Sequence, residues 1–402
     1  MKGDLIYLDN NATTPCDPQV VDAMLPYFHE IPGNAASRTH IFGWKAEEAV
    51  KQARANVAKI LDAEPEEIVF TSGATEAVNL ALKGVFEAYA SKGKHIITCK
   101  TEHKAVLDTC EHLEKLGAEV TILEVDKKGR INLDELKNAI RKDTILVSIM
   151  WANNETGVIQ DVEAIGEICK ENDVFFFSDA TQAVGKIPVS VQKANIHLAA
   201  CSAHKLYGPK GIGALYVRRK NPRVKVIAQI DGGGHEREMR SGTLNVPAIV
   251  GFGKAVEIAM QTMEEQGRLL KKMRDGFEKN CQDKIEDVII NGSTEHRLPH
   301  VTNLTFKFVE SENLMASFNQ RIAVSSGSAC TSATLEPSYV LRAMGISNHD
   351  AAASLRFSLG RWTNEAQMEE TLQTIIENVA HLRNQSPVWQ MYKEGIDVEE
   401  LL

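Results

Sequence analysis

The sequence predicts an α/β fold: a large domain on a mostly parallel sheet covered by helices, followed by a smaller α+β domain. Short apolar runs alternate with helical patterns through the first part of the chain, the rhythm breaks near Gly251, and 402 residues exceed the roughly 100–200 of a single domain.

The strands come first. Glu67-Ile68-Val69-Phe70 and His95-Ile96-Ile97-Thr98, then residues 119–123, 145–150, 174–177 and 213–217, are apolar runs of strand length. Between them, residues 76–92 and 104–116 space their apolar side chains as one face of a helix. Alternation of this kind makes parallel strands with crossover helices on both faces, and ligands then bind beyond the carboxyl ends of the strands. After Gly251 a long charged helix over 254–280 leads into short strands near 288–291 and 303–308, with helices towards the end. The charges between Glu257 and Glu278 read as the solvated face of that helix. No internal repeat or Pro-rich linker intervenes, so the boundary between the domains is expected inside the long helix.

Composition narrows the function. Hydrophobic residues make up 43% and charged residues 25%, the balance of an ordinary globular protein. Forty-five Lys and Arg against 54 Asp and Glu leave a net charge of -9, which disfavours nucleic acid as a primary partner. Seven cysteines without a C-x-x-C pair argue against a zinc or redox motif and fit a reducing compartment. The first residues have no apolar h-region and nowhere do 18 apolar residues run together, so the expected location is the cytoplasm, without a membrane span.

Three loops concentrate chemistry. In Phe70-Thr71-Ser72-Gly73-Ala74-Thr75-Glu76 a strand ends in small hydroxylated residues and a helix begins, a place where free backbone N–H groups suit a phosphate; an ordinary N-cap by Ser72 or Thr75 is the plainer reading. Neither G-x-x-x-x-G-K-[ST] nor G-x-G-x-x-G occurs in the chain. Phe175-Phe176-Phe177-Ser178-Asp179-Ala180-Thr181-Gln182 delivers an acid to the same sheet edge, and Ala199-Ala200-Cys201-Ser202-Ala203-His204-Lys205 delivers a lysine. Taken singly the acid is a helix cap and the lysine a surface residue. Taken together they are what pyridoxal 5'-phosphate needs: a phosphate cup, an amine for its aldehyde and a carboxylate to keep the pyridine nitrogen protonated. Gln182, about one turn past Asp179, is placed to meet the ring hydroxyl. His235-Glu236-Arg237-Glu238-Met239 lacks the second His of a zinc-protease helix and reads as a glycine-rich connection.

These and further motifs resemble the IscS/NifS-type cysteine desulfurases, fold type I enzymes of pyridoxal phosphate. The resemblance runs from Tyr7-Leu8-Asp9-Asn10-Asn11-Ala12-Thr13-Thr14-Pro15 to Tyr392 and includes Thr101-Glu102-His103, Ala152-Asn153-Asn154-Glu155, Arg240-Ser241-Gly242-Thr243, Ser325-Ser326-Gly327-Ser328-Ala329-Cys330 and Arg356-Phe357-Ser358-Leu359. The stretches Leu335-Glu336-Pro337-Ser338-Tyr339-Val340-Leu341-Arg342 and Trp389-Gln390-Met391-Tyr392-Lys393 are similar to the IscS branch.

The resemblance implies Lys205 as the cofactor-binding lysine, Asp179 on the pyridine nitrogen, Gln182 on the ring oxygen and His103 stacked on the ring and moving protons. It implies Ala74, Thr75, Ser202 and His204 on the phosphate, with Thr243 reaching it from the second subunit of a homodimer, and Asn154 and Arg356 on the L-cysteine substrate. Cys330 is the implied nucleophile, which takes sulfur as a persulfide and passes it to an IscU-like iron–sulfur scaffold, with tRNA thiolation a further outlet; alanine is the other product. No resident metal is expected. The implied division is a large domain over 16–258 and a small one over 1–15 and 259–402. Two departures are Gly33-Asn34-Ala35, where relatives carry a proline, and Phe177-Ser178, where they often carry His or Tyr. The rival readings are an aminotransferase, a selenocysteine lyase, or a non-catalytic scaffold, against which Lys205, Asp179 and Cys330 argue. The terminal aromatic cluster reads as a partner-binding element, which the IscS-branch resemblance implies docks the iron–sulfur scaffold, with packing of the last helix as the plainer alternative.

Overall fold

The computed structural model describes residues 5–326 and 336–398. Its strands in chain order are β1 (Ile6–Tyr7), β2 (Ile68–Thr71), β3 (His95–Cys99), β4 (Glu119–Leu123), β5 (Thr144–Ser148), β6 (Phe175–Asp179), β7 (Leu198–Ser202), β8 (Gly213–Val217), β9 (Val288–Ile290), β10 (Val301–Phe306), β11 (Ile322–Ala323) and β12 (Ser354–Ser358). Seven of them form one sheet in the order β2-β8-β7-β6-β5-β3-β4. Pairings among β3 to β7 are parallel, whereas β8 runs antiparallel to both β7 and β2. Two successive reversals return β2 to the direction of β7. The carboxyl ends of β2, β3, β5, β6 and β7 therefore share one edge.

Both faces of this sheet are covered, as continuous apolar strands require. On one face Phe70, Ile97, Val147, Phe176 and Tyr216 pack with Val57 from the helix Ile41–Leu61 and Phe252 from the helix Val246–Lys284. On the other, Val69, Ile96, Phe175, Phe177 and Leu215 meet Val78, Leu82 and Val85 of the helix Ala74–Ala88 and Val106 of the helix Lys104–Lys115. The alternation Phe175, Phe176, Phe177 between the two cores is the period-2 signature of a strand.

A second, antiparallel sheet has the order β12-β10-β9, and β1 pairs in parallel with β11. Its core joins Ile6, Leu8, Leu304, Phe306, Leu355, Phe357 and Ile375 to Phe277 and Cys281, which lie on the same 39-residue helix that carries Phe252. That helix spans Val246–Lys284 rather than 254–280: Asn245 caps it by accepting from Ala248 N, Pro247 sits in its first turn, and its first two turns are buried on several sides, which hides the helical period. The strand β12 and the helix Ile41–Leu61 were not foreseen. No helix among the described residues is long and apolar enough to cross a membrane.

Trp389 and Tyr392, in the helix Pro387–Lys393, stack on Phe308 with centroids 5.4 and 4.6 Å away, and Arg383 covers the Trp389 ring at 4.4 Å. This is the packing alternative for the terminal aromatics: an edge of the small sheet leaves Phe308 for them to cover.

Candidate active site

A cavity of about 610 Å³ opens at the shared strand edge and takes in Ala74, Thr75, His103, Asn154, Asp179, Gln182, Ser202, His204, Lys205 and Arg356 together. Of the remaining predicted residues, Thr243 is exposed and lies outside the cavity, and Cys330 falls outside the described residues.

One end suits a phosphate. The helix Ala74–Ala88 starts from Gly73 without a side-chain cap, so its first N–H groups and positive dipole end face the cavity. Neither Ser72 nor Thr75 caps it. Instead Glu76 turns back, accepting from Ser72 N at 2.8 Å and pairing with Arg240 Nε at 2.8 Å. Burial alone would raise the Glu76 carboxyl, but the bonds from Arg240 and Ser72 outweigh it and hold the group below its ordinary value. Lys210 and Gly211, in the run that follows Lys205, also line the cavity and were not among the expected site residues.

The cup depends on a close approach. A Cβ on Gly213, the first residue of β8, would stand 2.6 Å from Cys201 O and 2.8 Å from Gly73 Cα. Gly213→Ala is therefore expected to displace the Gly73 turn, lowering stability by about 1–3 kcal/mol and cofactor affinity by roughly tenfold. Urea unfolding and equilibrium dialysis check the two effects.

Asp179 closes β6, buried, with Oδ1 accepting from Thr181 N at 3.0 Å. Lys205 follows β7 in a short 3-10 turn, and its Nζ donates to Asn11 O and Ala12 O, both at 2.6 Å. Burial first, then the charges of Lys205, Lys210 and Lys186, push the neighbouring His204 down to about 4, so its ring is neutral at physiological pH; its Nδ1 lies 3.1 Å from Thr13 Oγ1. His103 caps the helix Lys104–Lys115, and because its Nδ1 accepts from Ala105 N, the neutral ring carries its proton on Nε2.

Substrate-side groups converge from both sheets. Arg356, in the middle of β12, pairs through Nη2 with Asp9 Oδ1 at 2.7 Å and donates from Nη1 to Asn154 O at 2.9 Å. Arg356 Nε, Asn154 Oδ1 and Thr181 Oγ1 are buried without a hydrogen-bond partner. Three such orphans on one cavity wall are ready to meet the polar groups of a ligand.

Asn11 ties the wall together, and its part was not read from the sequence. Its backbone oxygen takes Lys205 and Gln182, its Oδ1 takes His300 and Lys186, and its Nδ2 donates to Asn154 O. The signal available was an Asn-Asn pair directly after the β1 run.

Two buried carboxyls lie under the site. Glu102 Oε1 accepts from Met150 N at 2.5 Å; burial chiefly, with the charge of Asp179 adding, raises it to about 8. Burial also raises Glu155 to about 7, against the lowering effect of its bond from Ser338 Oγ. Glu102 is thus neutral at pH 7. The unfolded group loses its proton near ~4.3, whereas the folded one holds it to about 8, so stability falls as pH rises across that window. Glu102→Gln, which mimics the protonated form, is expected to match the wild type at about pH 4 and to exceed it by roughly a few kcal/mol at neutral pH, because the decline is removed. Urea midpoints taken from about pH 4 to about pH 8 measure it.

Described residues that precede 327 and follow 335 are tied to this site. Ser325 bridges to Arg356, Ser338 Oγ donates to Glu155, and Tyr339 Oη donates to Glu102 O at 2.7 Å.

The aminotransferase class V family matches residues 6–370. A relative named cysteine desulfurase IscS from Anaeromyxobacter sp. (strain Fw109-5) is 55% identical over 98% of each chain, and another of that name from Neisseria meningitidis (strain FAM18) is 56% identical over 98% of this chain and 97% of its own. A solved NifS-like protein superposes with a TM-score of 0.87 at 37% identity, covering 94% of this chain and 100% of that one.

Proposed function

We propose, for a chain that belongs to the class V aminotransferase family and is a pyridoxal-phosphate-dependent cysteine desulfurase, that Lys205 holds the cofactor, Asp179 its ring nitrogen and Gln182 its ring oxygen. Ala74, Thr75, Ser202 and His204 take the phosphate, and Thr243, exposed outside its own cavity, reaches the phosphate of a second copy in a homodimer. The observation that carries this reading is the meeting of Lys205, Asp179 and an uncapped helix N-terminus in one cavity. Residues 16–258 form the cofactor domain, with 1–15 and 259–402 as the small one.

Bound pyridoxal phosphate supplies an electron sink for the bonds at the substrate's α-carbon. Arg356 and Asn154 hold the L-cysteine carboxylate, the guanidinium turning from Asn154 O and its orphaned Nε towards it. Lys205 Nζ, released from the Asn11 and Ala12 carbonyls, and His103 Nε2 carry protons between the α-carbon and its neighbours. The thiolate of Cys330 attacks the substrate sulfur: an S–S bond forms as the Cβ–S bond breaks, the electron pair stays with carbon, and a proton completes alanine. The other cysteines are poor candidates, since burial pushes up the thiols of Cys16, Cys99, Cys110, Cys169, Cys201 and Cys281. The persulfide passes to an IscU-like iron–sulfur scaffold and, as a second outlet, to tRNA thiolation, in the cytoplasm.

The test is incubation with pyridoxal phosphate and L-cysteine, with and without a reductant. Alanine and sulfide in equal amounts, sulfide depending on reductant, are expected; pyruvate with the cofactor left as its amine would make the chain an aminotransferase instead.

A further inference from the structure

Lys186 is a buried group that the roles above leave unused. It follows Gln182 by one helical turn, and its ammonium end is withdrawn from water although the residue as a whole keeps partial access. Among the described residues its hydrogen-bond partners are amide oxygens: Nζ donates to Gln182 Oε1 at 2.5 Å and to Asn11 Oδ1 at 3.3 Å. The groups that face it from the surrounding elements are Lys205, His204, Arg356 and His300. Burial first, then the charges of Lys205 and Arg356, drive its amine well below its ordinary value. An amine buried beside cations and without a counter-charge costs stability, and a hydrophobic side chain of that length would cost less.

The Gln182 amide explains its retention. A primary amide offers an acceptor at one end and two donors at the other, and a cavity wall meets whichever end is turned outward. Because the NH2 end of Gln182 donates to Asn11 O, the end that faces Lys186 is the oxygen, and Lys186 Nζ holds it there as a donor whether charged or neutral. The NH2 end then points to Asn11 O, at 3.0 Å, and to the cavity that Gln182 lines. One amide hydrogen is taken by Asn11 and the other is left for a ligand. Asn11 Oδ1, held from the far side by His300 Nε2 at 2.7 Å, anchors the ammonium in the same orientation.

We propose that Lys186 is a positioning residue that locks the Gln182 amide with its NH2 group towards the cavity, so that the ring oxygen of the cofactor always meets a donor. The inference rests on the assignment of Gln182 to that oxygen and adds the group that sets its polarity. A ring oxygen bearing negative charge is stabilised by a donor, and an amide turned over would set a second lone pair against it.

The experiment is a titration of the cofactor-loaded enzyme across neutral pH, reading the midpoint at which the visible absorption of the bound cofactor changes. It compares the wild type with Lys186→Met, Gln182→Ala and the double variant, with Lys186→Leu as a second apolar replacement should methionine not fold. Removal of a buried amine that has cations around it and no counter-charge, at nearly constant volume, should leave the thermal midpoint unchanged or raise it, which separates folding from positioning. Lys186→Met is expected to move the absorption midpoint up by about one pH unit, roughly a tenfold gain in the proton affinity of the chromophore. Gln182→Ala should move it in the same direction, and the double variant no further than Gln182→Ala. Additive shifts, or a shift in Gln182→Ala with none in Lys186→Met, would overturn the role of Lys186 while sparing that of Gln182. An unshifted Gln182→Ala would overturn both, by removing the contact on which the inference stands.

Discussion

Lys205→Ala should abolish alanine formation, with a loss of about ten-thousand-fold, and should release the cofactor on dialysis. The size of the effect follows from two roles held by one amine. In the proposed function it is the covalent anchor and one of the proton carriers at the α-carbon. Its Nζ waits between the carbonyls of Asn11 and Ala12, at 2.6 Å from each, at the carboxyl end of β7. The next amine, Lys186, is engaged with Gln182 and cannot replace it without giving up that bond. Absorption spectra before and after dialysis read the anchor, and an alanine assay reads the turnover. A borohydride-reducible cofactor adduct surviving in the variant would move the attachment to another lysine.

Cys330→Ser is expected to separate binding from chemistry. The variant should keep the cofactor and its spectral response to L-cysteine, yet form no persulfide and lose turnover by roughly a hundred- to a thousand-fold. A serine hydroxyl is hardly ionised at neutral pH and is a poor nucleophile towards sulfur, whereas a thiol near ~8.5 is already partly thiolate. The cofactor half of the site stands on Lys205, Asp179 and the Gly73 turn, all distant in sequence from position 330, so it should be untouched. Mass spectrometry of the cysteine-treated protein looks for the added sulfur. Normal sulfide release by the variant would pass the nucleophilic role to one of the six remaining thiols.

The amino-acid sequence by itself determined the parts whose signal is local. The β-α-β rhythm marked six of the seven strands of the large sheet from apolar runs, and placed Asp179 and Lys205 at strand ends, because a strand buried on both faces must be apolar along its length. The family resemblance carried by the motifs pointed to Ala74, Thr75, Ser202 and His204, and the spacing from Asp179 to Gln182; all five line the cavity, each within one loop of a strand end.

Only the tertiary structure decided what depends on contacts between distant segments. Arg356 reaches the cavity because β12 pairs with β10 in the small sheet, and Asn11 because the chain that leaves β1 crosses to meet Lys205, 194 positions away. The reversal at β8 that returns β2 to the common edge is a pairing choice, not a property of either run. The orientation of the Gln182 amide is set by Lys186 and Asn11, and the protonation of Glu102 by its burial near Asp179. In each case the deciding energy is that of a hydrogen bond or a desolvated charge, which exists only once folding has excluded water from the site.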